Sequence, residues 1–514
     1  MELALVLDPN ADQSLQAQIF DQVRALILDC RLSAGMAMPA SRTLAEQLSV
    51  SRNTVILAYD RLIAEGYIEA RGTAGTFVSS FLPDGLMQIS DGALPKNVHD
   101  EVDPEPVLCF AGAPGGDGKS SRPEIDFWAG RSAQESFPMR VWRKLLIRYL
   151  ESSDVNLADY GDPAGLLELR QSIAEHLART RGMMVGADQI VITGGSQDGL
   201  NLIHRLLDNN YKPFFVENPC YQGAALLFQS LGENVCPIPV DEAGLVVNDL
   251  PDDRSGVVFI TPSHQFPIGV TLTLERRVQL LNWAKATDSV IIEDDYDSDF
   301  RYDGPPLTAL AGLDNSRRVF YLGTFSKSLG AGLRLGFTVV PKSFAARSRQ
   351  IKAYMNNGQP WLDQIVLAEF LHGGEFDRHL RRVRKIYKSR RDHLVECLKE
   401  YFPETTVSGE HCGLHLVWKI PQSFPPASDI QIEARSLGIG IYSLRSSAAL
   451  DFNQNSEDSI FVIGYSSVPE ADTTRAILRL RVLIDEMLQG DGLSDHKSND
   501  DAAKNQSDQM QLSK

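Results

Sequence analysis

Cysteine is scarce: Cys30, Cys109, Cys220, Cys236, Cys397 and Cys412 are scattered through 514 positions with no CxxC pair. That spacing offers neither a zinc site nor a disulfide framework, and it suits a reduced, cytoplasmic setting. Long apolar runs are missing as well. No stretch of about 18 apolar residues exists, so no membrane span is expected. The start, MELALVLDPNADQ, has no positively charged region and meets acidic residues early, unlike a signal peptide. Positive charge is also short. A net charge of −17 argues against a chain coated in nucleic acid. It leaves room for one small DNA-reading face, because affinity follows local charge. Within 31–80, Arg31, Arg42, Arg52, Arg61 and Arg71 stand against Glu46, Asp60, Glu65 and Glu69, five against four. Charge alone therefore makes a weak case for DNA, and motifs must carry it.

What is present is a 43% apolar composition, enough for a sizeable core. The length suits about two to four folding units. Residues 1–80 read as a compact, helix-rich domain. Residues 81–124 are rich in Pro, Gly, Asp and Ser without periodicity and read as a linker. From 125 to 489, short apolar runs (Gln189–Thr193, Pro213–Val216, Gly256–Thr261, Ser289–Glu293, Arg318–Leu322) alternate with amphipathic stretches. That alternation predicts an α/β domain around a mainly parallel sheet. Residues 490–514 are polar, without aromatics, and read as a disordered tail. No internal repeat is found.

In the first zone, Leu15, Ile19, Val23, Leu26 and Ile27 have helical spacing within Gln13–Leu32. Pro39-Ala-Ser41 offers a turn and a cap for a second helix, Arg42–Leu48. Ser49-Val50 is a tight connection, and Ser51 caps a third helix with Val55, Tyr59, Leu62 and Ile63 as its buried stripe. Two short helices so joined form a helix-turn-helix, whose second helix puts its first residues into the major groove. Here those are Ser51, Arg52, Asn53 and Thr54. Arg bridges guanine O6 and N7, Asn pairs with adenine, and hydroxyls reach phosphate. Tyr67–Arg71 and the strand starting at Thr76, joined through Gly72–Gly75, form a wing. The run from Met38 through Arg42, Ser51-Arg-Asn-Thr54 and Glu65-Gly-Tyr-Ile to Gly75-Thr-Phe-Val resembles a GntR-type winged helix. The resemblance implies double-stranded DNA as partner, with contacts from Arg42, Ser51, Arg52, Asn53, Thr54, Gly75 and Thr76.

In the second zone three segments converge on one chemistry. Ile190-Val-Ile-Thr-Gly194-Gly195-Ser196-Gln197 is a strand running into a Gly-rich helix start, where backbone amides seat an anion. Val290-Ile-Ile-Glu-Asp294-Asp-Tyr296 is a buried-looking strand ending in acids and a phenol, a ligand position at the C-terminal edge of a parallel sheet. An aspartate there keeps a pyridine nitrogen protonated. Thr324-Phe-Ser326-Lys327, followed by Arg334, sets an amine nucleophile among hydroxyls with a cation seven residues on, a frame for a Schiff-base lysine beside a phosphate.

Together these segments resemble the fold-type I, class I aminotransferases. With the N-terminal module, the chain from residue 13 to about 489 resembles the MocR/GabR subfamily of GntR regulators. The fold implied is α/β: a winged helix-turn-helix, then an aminotransferase-like domain with a smaller C-terminal α+β subdomain. The resemblance implies pyridoxal 5′-phosphate (PLP) on Lys327, Asp294 on its pyridine nitrogen, Tyr296 on O3′ and Tyr221 stacked on the ring. Gly195, Ser196, Gln197, Thr324, Ser326 and Arg334 would hold the phosphate. It also implies a homodimer.

Two departures stand out. Aminotransferases carry Asn-Pro-x-Gly where this chain has Phe266-Pro-Ile-Gly269, so His264 or Gln265 would have to replace the Asn. Their substrate-carboxylate Arg lies on a late strand, which here reads Ile460-Phe-Val-Ile-Gly464; Arg445, just upstream, is the substitute candidate for an effector's acid group. These changes favour a regulator that senses an amino compound or PLP. An active aminotransferase with an accessory DNA-binding module is the alternative, and a cofactor-free regulator is the third reading.

Overall fold

A computed structural model describes residues 3–9, 11, 13–29, 31–72, 75–79, 122–152, 158–207, 211–303, 307–314, 317–453 and 458–489. The expected tail, most of the expected linker, Cys30 and Cys109 lie outside the described residues. Two compact units divide the chain, with the boundary between residues 107 and 108.

The first unit holds helices Leu15–Leu28, Ser41–Leu48 and Arg52–Ala64, then the antiparallel strands Ile68–Ala70 and Thr76–Val78. The third helix starts as expected, with the Ser51 hydroxyl accepting the Thr54 N–H at 3.1 Å. Such a cap is worth about 1 kcal/mol. Ser49 takes a left-handed φ of 54°, which turns the chain sharply between the second and third helices. The buried stripe of the third helix is Val55, Ala58, Tyr59 and Leu62. Ile63 is 38% exposed. Positions i, i+3, i+4 and i+7 share a face, and i+8 rotates off its edge. That stripe packs on Ile19, Phe20, Val23 and Ile27 of the first helix.

The second unit is built on one eight-stranded sheet. In spatial order its strands are Ile190–Thr193, Gly336–Val339, Val319–Thr324, Val290–Asp295, Val257–Ile260, Phe214–Asn218, Val235–Asp241 and Gly244–Leu245. Neighbours from Val319–Thr324 to Val235–Asp241 run parallel. Gly336–Val339 runs antiparallel to both of its neighbours. All five expected apolar runs became strands, with ends shifted by at most two residues. The inner strands are buried along their whole length, which is why they read as continuous apolar runs rather than alternating ones. Truncating Phe259, fully buried between these layers, would cost about 3–5 kcal/mol.

A smaller antiparallel sheet of Thr406–Ser408, His415–Lys419 and Ile460–Gly464 follows the 27-residue helix Glu375–Tyr401. It is anchored by Trp418, whose ring lies 5.1 Å from Phe402 and 5.2 Å from Phe461. A final helix covers 470–489. Among the described residues no helix is long and apolar enough to cross a membrane.

Candidate functional site

Parallel strands deliver their C-terminal residues to one edge of the sheet, and the site lies there. Strand Val290–Asp295 carries Asp294 as its second-last residue, and strand Val319–Thr324 ends in Thr324. The antiparallel strand begins at Gly336, in register with both Thr324 and Thr193. Arg334, Gly195 and Lys327 follow or precede these ends by a few residues, so segments far apart in sequence line one pocket of about 260 Å³.

Lys327 sits in a single π-helical turn, Ser326–Gly330, half-buried. Its Nζ donates to the Gly130 carbonyl at 2.9 Å. Gly130 has a φ of 77°, which favours glycine, and a Cβ there would stand 2.7 Å from that Nζ and displace it. The Ser132 hydroxyl donates to the Lys327 carbonyl at 2.9 Å and holds the turn. Burial pushes the Lys327 ammonium below its ordinary pKa, partly offset by Asp297 and Asp294. A larger share of the amine is then neutral and nucleophilic at neutral pH.

Asp294 is buried, and its Oδ1 has no hydrogen-bond partner among the described residues. Burial, then the neighbouring Asp295, pushes its carboxyl up to about 7. Such an oxygen fits a ring N–H, because a buried unpaired acceptor is costly until a donor arrives.

At the other end, helix Ser196–Leu206 points its N-terminus into the pocket. Gly195 has φ 114°, and a Cβ there would stand 3.4 Å from Arg334 Nη2. Asp198 fixes this start by accepting the Gly194 N–H at 2.8 Å, Lys352 Nζ at 2.5 Å and Gln359 Nε2 at 3.0 Å. Ser196, Gln197, Thr324, Ser326 and Arg334 all line the pocket, and the Thr324 hydroxyl donates to Ser326 Oγ at 2.9 Å. Free amides, hydroxyls and a guanidinium together suit a phosphate. Tyr221 lines the same cavity, edge-on to Phe266.

The Tyr296 hydroxyl donates to the His264 carbonyl at 3.0 Å and lies 3.2 Å from His264 Nδ1. His264 is buried and paired through Nδ1 with Asp297 Oδ2 at 2.8 Å, so it backs Tyr296 without lining the pocket. Gln265 is buried and its amide is used on its own loop and on the loop at Pro219. It donates to the carbonyls of Pro219 and Phe266 at 2.8 Å each and accepts the Ile268 N–H at 3.0 Å. Arg445 is exposed in the 3-10 turn Leu444–Ser446 and does not line the pocket. The three expected effector contacts are therefore not brought together. Sequence reading missed Gly130, Trp128, Phe266, His415 and Asp297. Only a glycine in Trp128-Ala-Gly130 hinted at close approach, and nothing local tied it to a lysine 197 positions on.

In the first unit, Ser51, Arg52 and Asn53 form an exposed helix start, with Thr54 half-buried beneath them. Arg52 Nε reaches Ser41 Oγ at 3.4 Å. Thr54 Oγ1 is 2.7 Å from Ser51 Oγ, so these two hydroxyls are occupied by the cap. Arg42 is exposed beside Glu46 at 3.5 Å. Gly75 is exposed with φ 108°, Thr76 is half-buried, and the wing tip at 73–74 lies outside the described residues.

Two family descriptions match the chain: "Bacterial regulatory proteins, gntR family" over residues 15–78 and "Aminotransferase class I and II" over residues 124–421. Among curated proteins, the chain is 34% identical over 425 residues to a probable rhizopine catabolism regulatory protein, MocR, of Rhizobium meliloti, covering 80% of this chain and 83% of that one. It is 31% identical over 477 residues to the HTH-type pyridoxine biosynthesis transcriptional regulator PdxR of Corynebacterium glutamicum, covering 93% and 97%. Among solved structures, a kynurenine aminotransferase of Pyrococcus horikoshii superposes with a TM-score of 0.64 at 28% identity, covering 72% of this chain and 92% of that one.

Proposed function

We propose, for a chain that belongs to the gntR-family regulators with an aminotransferase class I and II domain, the MocR/GabR group, that Lys327 is the residue holding its PLP and that small amines act on DNA binding through that lysine. The protein is a PLP-dependent, DNA-binding transcription regulator. The observation that carries the assignment to Lys327 is the shared pocket of its Nζ, the unpartnered Asp294 Oδ1 and the Gly195–Arg334 anion seat.

PLP, when bound, supplies an aldehyde that bonds an amine and a ring that withdraws electrons. Lys327, its ammonium weakened by burial, provides the nitrogen. Asp294 would accept the ring N–H, and a cation placed against it would draw its carboxyl back toward the charged form. Tyr296, whose hydroxyl donates to the His264 carbonyl, would have to turn that hydroxyl to reach O3′. Tyr221 would cover the ring, and Ser196, Thr324, Ser326 and Arg334 would hold the phosphate with the amides that follow Gly195. A small amine entering beside Lys327 would compete with its Nζ for the aldehyde, an exchange of one amine for another that needs no oxidant. Such a ligand would shift the protein between states only as far as its affinities for those states differ.

Arg52, Asn53 and the amides of the third helix's first turn read DNA, with Arg42, Gly75 and Thr76 along the phosphates. A homodimer reading two half-sites belongs to this proposal. The apolar Met139, Ile147 and Leu150, 64%, 46% and 54% exposed on one helix, support a partner surface in the second unit. Visible absorbance and borohydride trapping of the PLP-loaded protein, with DNA binding measured before and after adding amines, test it. A covalent adduct on another lysine, or DNA binding indifferent to every amine, would refute it.

A further inference from the structure

Part of the pocket's lining is built for an anion: Arg334 faces Gly195 at the helix N-terminus. Another part is an uncharged wall of Trp128, Ala129, Phe266, His415 and Ala448, with Ser447 and Thr261, whose hydroxyls donate to the Leu444 carbonyl at 2.8 Å and to Glu217 at 2.7 Å. Trp128 is fixed by an edge contact with Tyr442, ring centroids 4.8 Å apart at 90°. Behind the wall, the fully buried Val462 packs with Leu444 and Ala449, and Ala129 and Phe266 lie against that cluster. His415 is buried 4.6 Å from the His264 ring and bonded to the Pro267 carbonyl at 3.1 Å. Burial and His264 hold it well below its ordinary pKa, hence neutral. Arg131, next to the wall in sequence, is paired with Asp126 at 2.7 Å. Among the described residues that line the pocket, the cations are Lys327 and Arg334, both committed to PLP in the reading above. The nearby carboxylates, Asp294 and Asp297, repel a second anion.

We infer that the pocket beside Lys327 selects primary amines that carry no carboxylate and whose apolar or aromatic substituent rests on Trp128, Ala129 and Phe266. An amino acid placed there would press its carboxylate onto an uncharged wall whose Ser447 and Thr261 hydroxyls and His415 ring are already bonded within the protein. An alkyl or aryl amine loses nothing comparable and gains apolar contact. The inference rests on Lys327 as the PLP anchor.

The test uses matched pairs on the full-length, PLP-loaded protein: phenethylamine against phenylalanine, and pentylamine against norleucine. Two readouts are followed, the visible absorbance of the bound PLP and the thermal unfolding midpoint, each normalised to the same compounds' reaction with free PLP. Each amine is expected to half-saturate at a concentration at least tenfold below its amino acid. Val462→Arg, which sets a cation behind the wall, is expected to improve the amino acids at least tenfold. If that variant does not fold, the wild-type pairs decide alone. A yellow protein that responds equally to amino acids, prefers them, or ignores all four compounds overturns this inference. A protein that stays colourless with PLP overturns the Lys327 assignment itself.

Discussion

The two units solve recognition in opposite ways. The proposed DNA reader is a continuous stretch on the surface, where Ser51, Arg52 and Asn53 are adjacent, exposed and presented by one helix start. The pocket is assembled from segments around residues 130, 195, 221, 264, 294, 327, 415 and 448, and its working groups are buried or half-buried except Arg334, which is exposed. The lesson concerns what a substitution does. In the reader, each side chain trades water for DNA and acts nearly alone. In the pocket, each group's charge state depends on its neighbours, as Asp294 and Lys327 show.

The largest expected effect tests that contrast directly. Lys327→Ala should abolish the borohydride-trapped adduct, seen by mass spectrometry of peptides, while leaving the first unit folded and able to bind DNA. Gly130→Ala comes next. Its Cβ would collide with Lys327 Nζ at 2.7 Å, so PLP incorporation should slow at least about tenfold. A variant that loads normally would show that Lys327 does not occupy this position when PLP binds. On the surface side, Arg52→Ala should cost up to about 3 kcal/mol of specific DNA affinity, the range of one good base contact. Gel shifts at fixed salt measure it, and unchanged affinity removes Arg52 from the reader.

A pH series sharpens the buried half. Glu217 is fully enclosed, and burial pushes its carboxyl up to about 7, against the opposing hydrogen bonds from Thr261. The folded state therefore keeps a proton that the unfolded chain releases near 4.5. The stabilisation from this site is complete below that value and fades as pH rises toward about 7. Glu217→Gln has no such proton, so its stability relative to wild type should rise across that window by roughly 3 kcal/mol. A flat difference in denaturant midpoints would refute the protonated form. The smallest effect is Ser51→Ala, which removes the cap on the reading helix and should lower the first unit's stability by about 1 kcal/mol.

Legibility followed the same division. The helix-turn-helix could be read because capping, helical spacing and turn residues act within a few positions. Even the error there is local: Ile63 lies just past the buried arc that Val55 and Leu62 define. The five main strands were legible because their burial on both faces leaves unbroken apolar runs. That Lys327, Asp294 and Arg334 line one pocket was legible because strand ends and Gly-rich turns mark the sheet edge. Gln265 was not, because whether an amide faces a pocket depends on which carbonyls the fold brings to it, and here its own turn and the distant Pro219 carbonyl consume it.

The order of amino acids alone determined the two modules, the strand ends that carry the chemistry, and the lysine with its flanking hydroxyls, since all of these depend on neighbours within a turn or a strand. Tertiary structure alone decided that Gly130 closes over Lys327, that Asp297 braces His264, and that Val462 backs an uncharged wall. Those facts depend on which distant atoms share a volume from which water is excluded, and no spacing along a chain encodes that by itself.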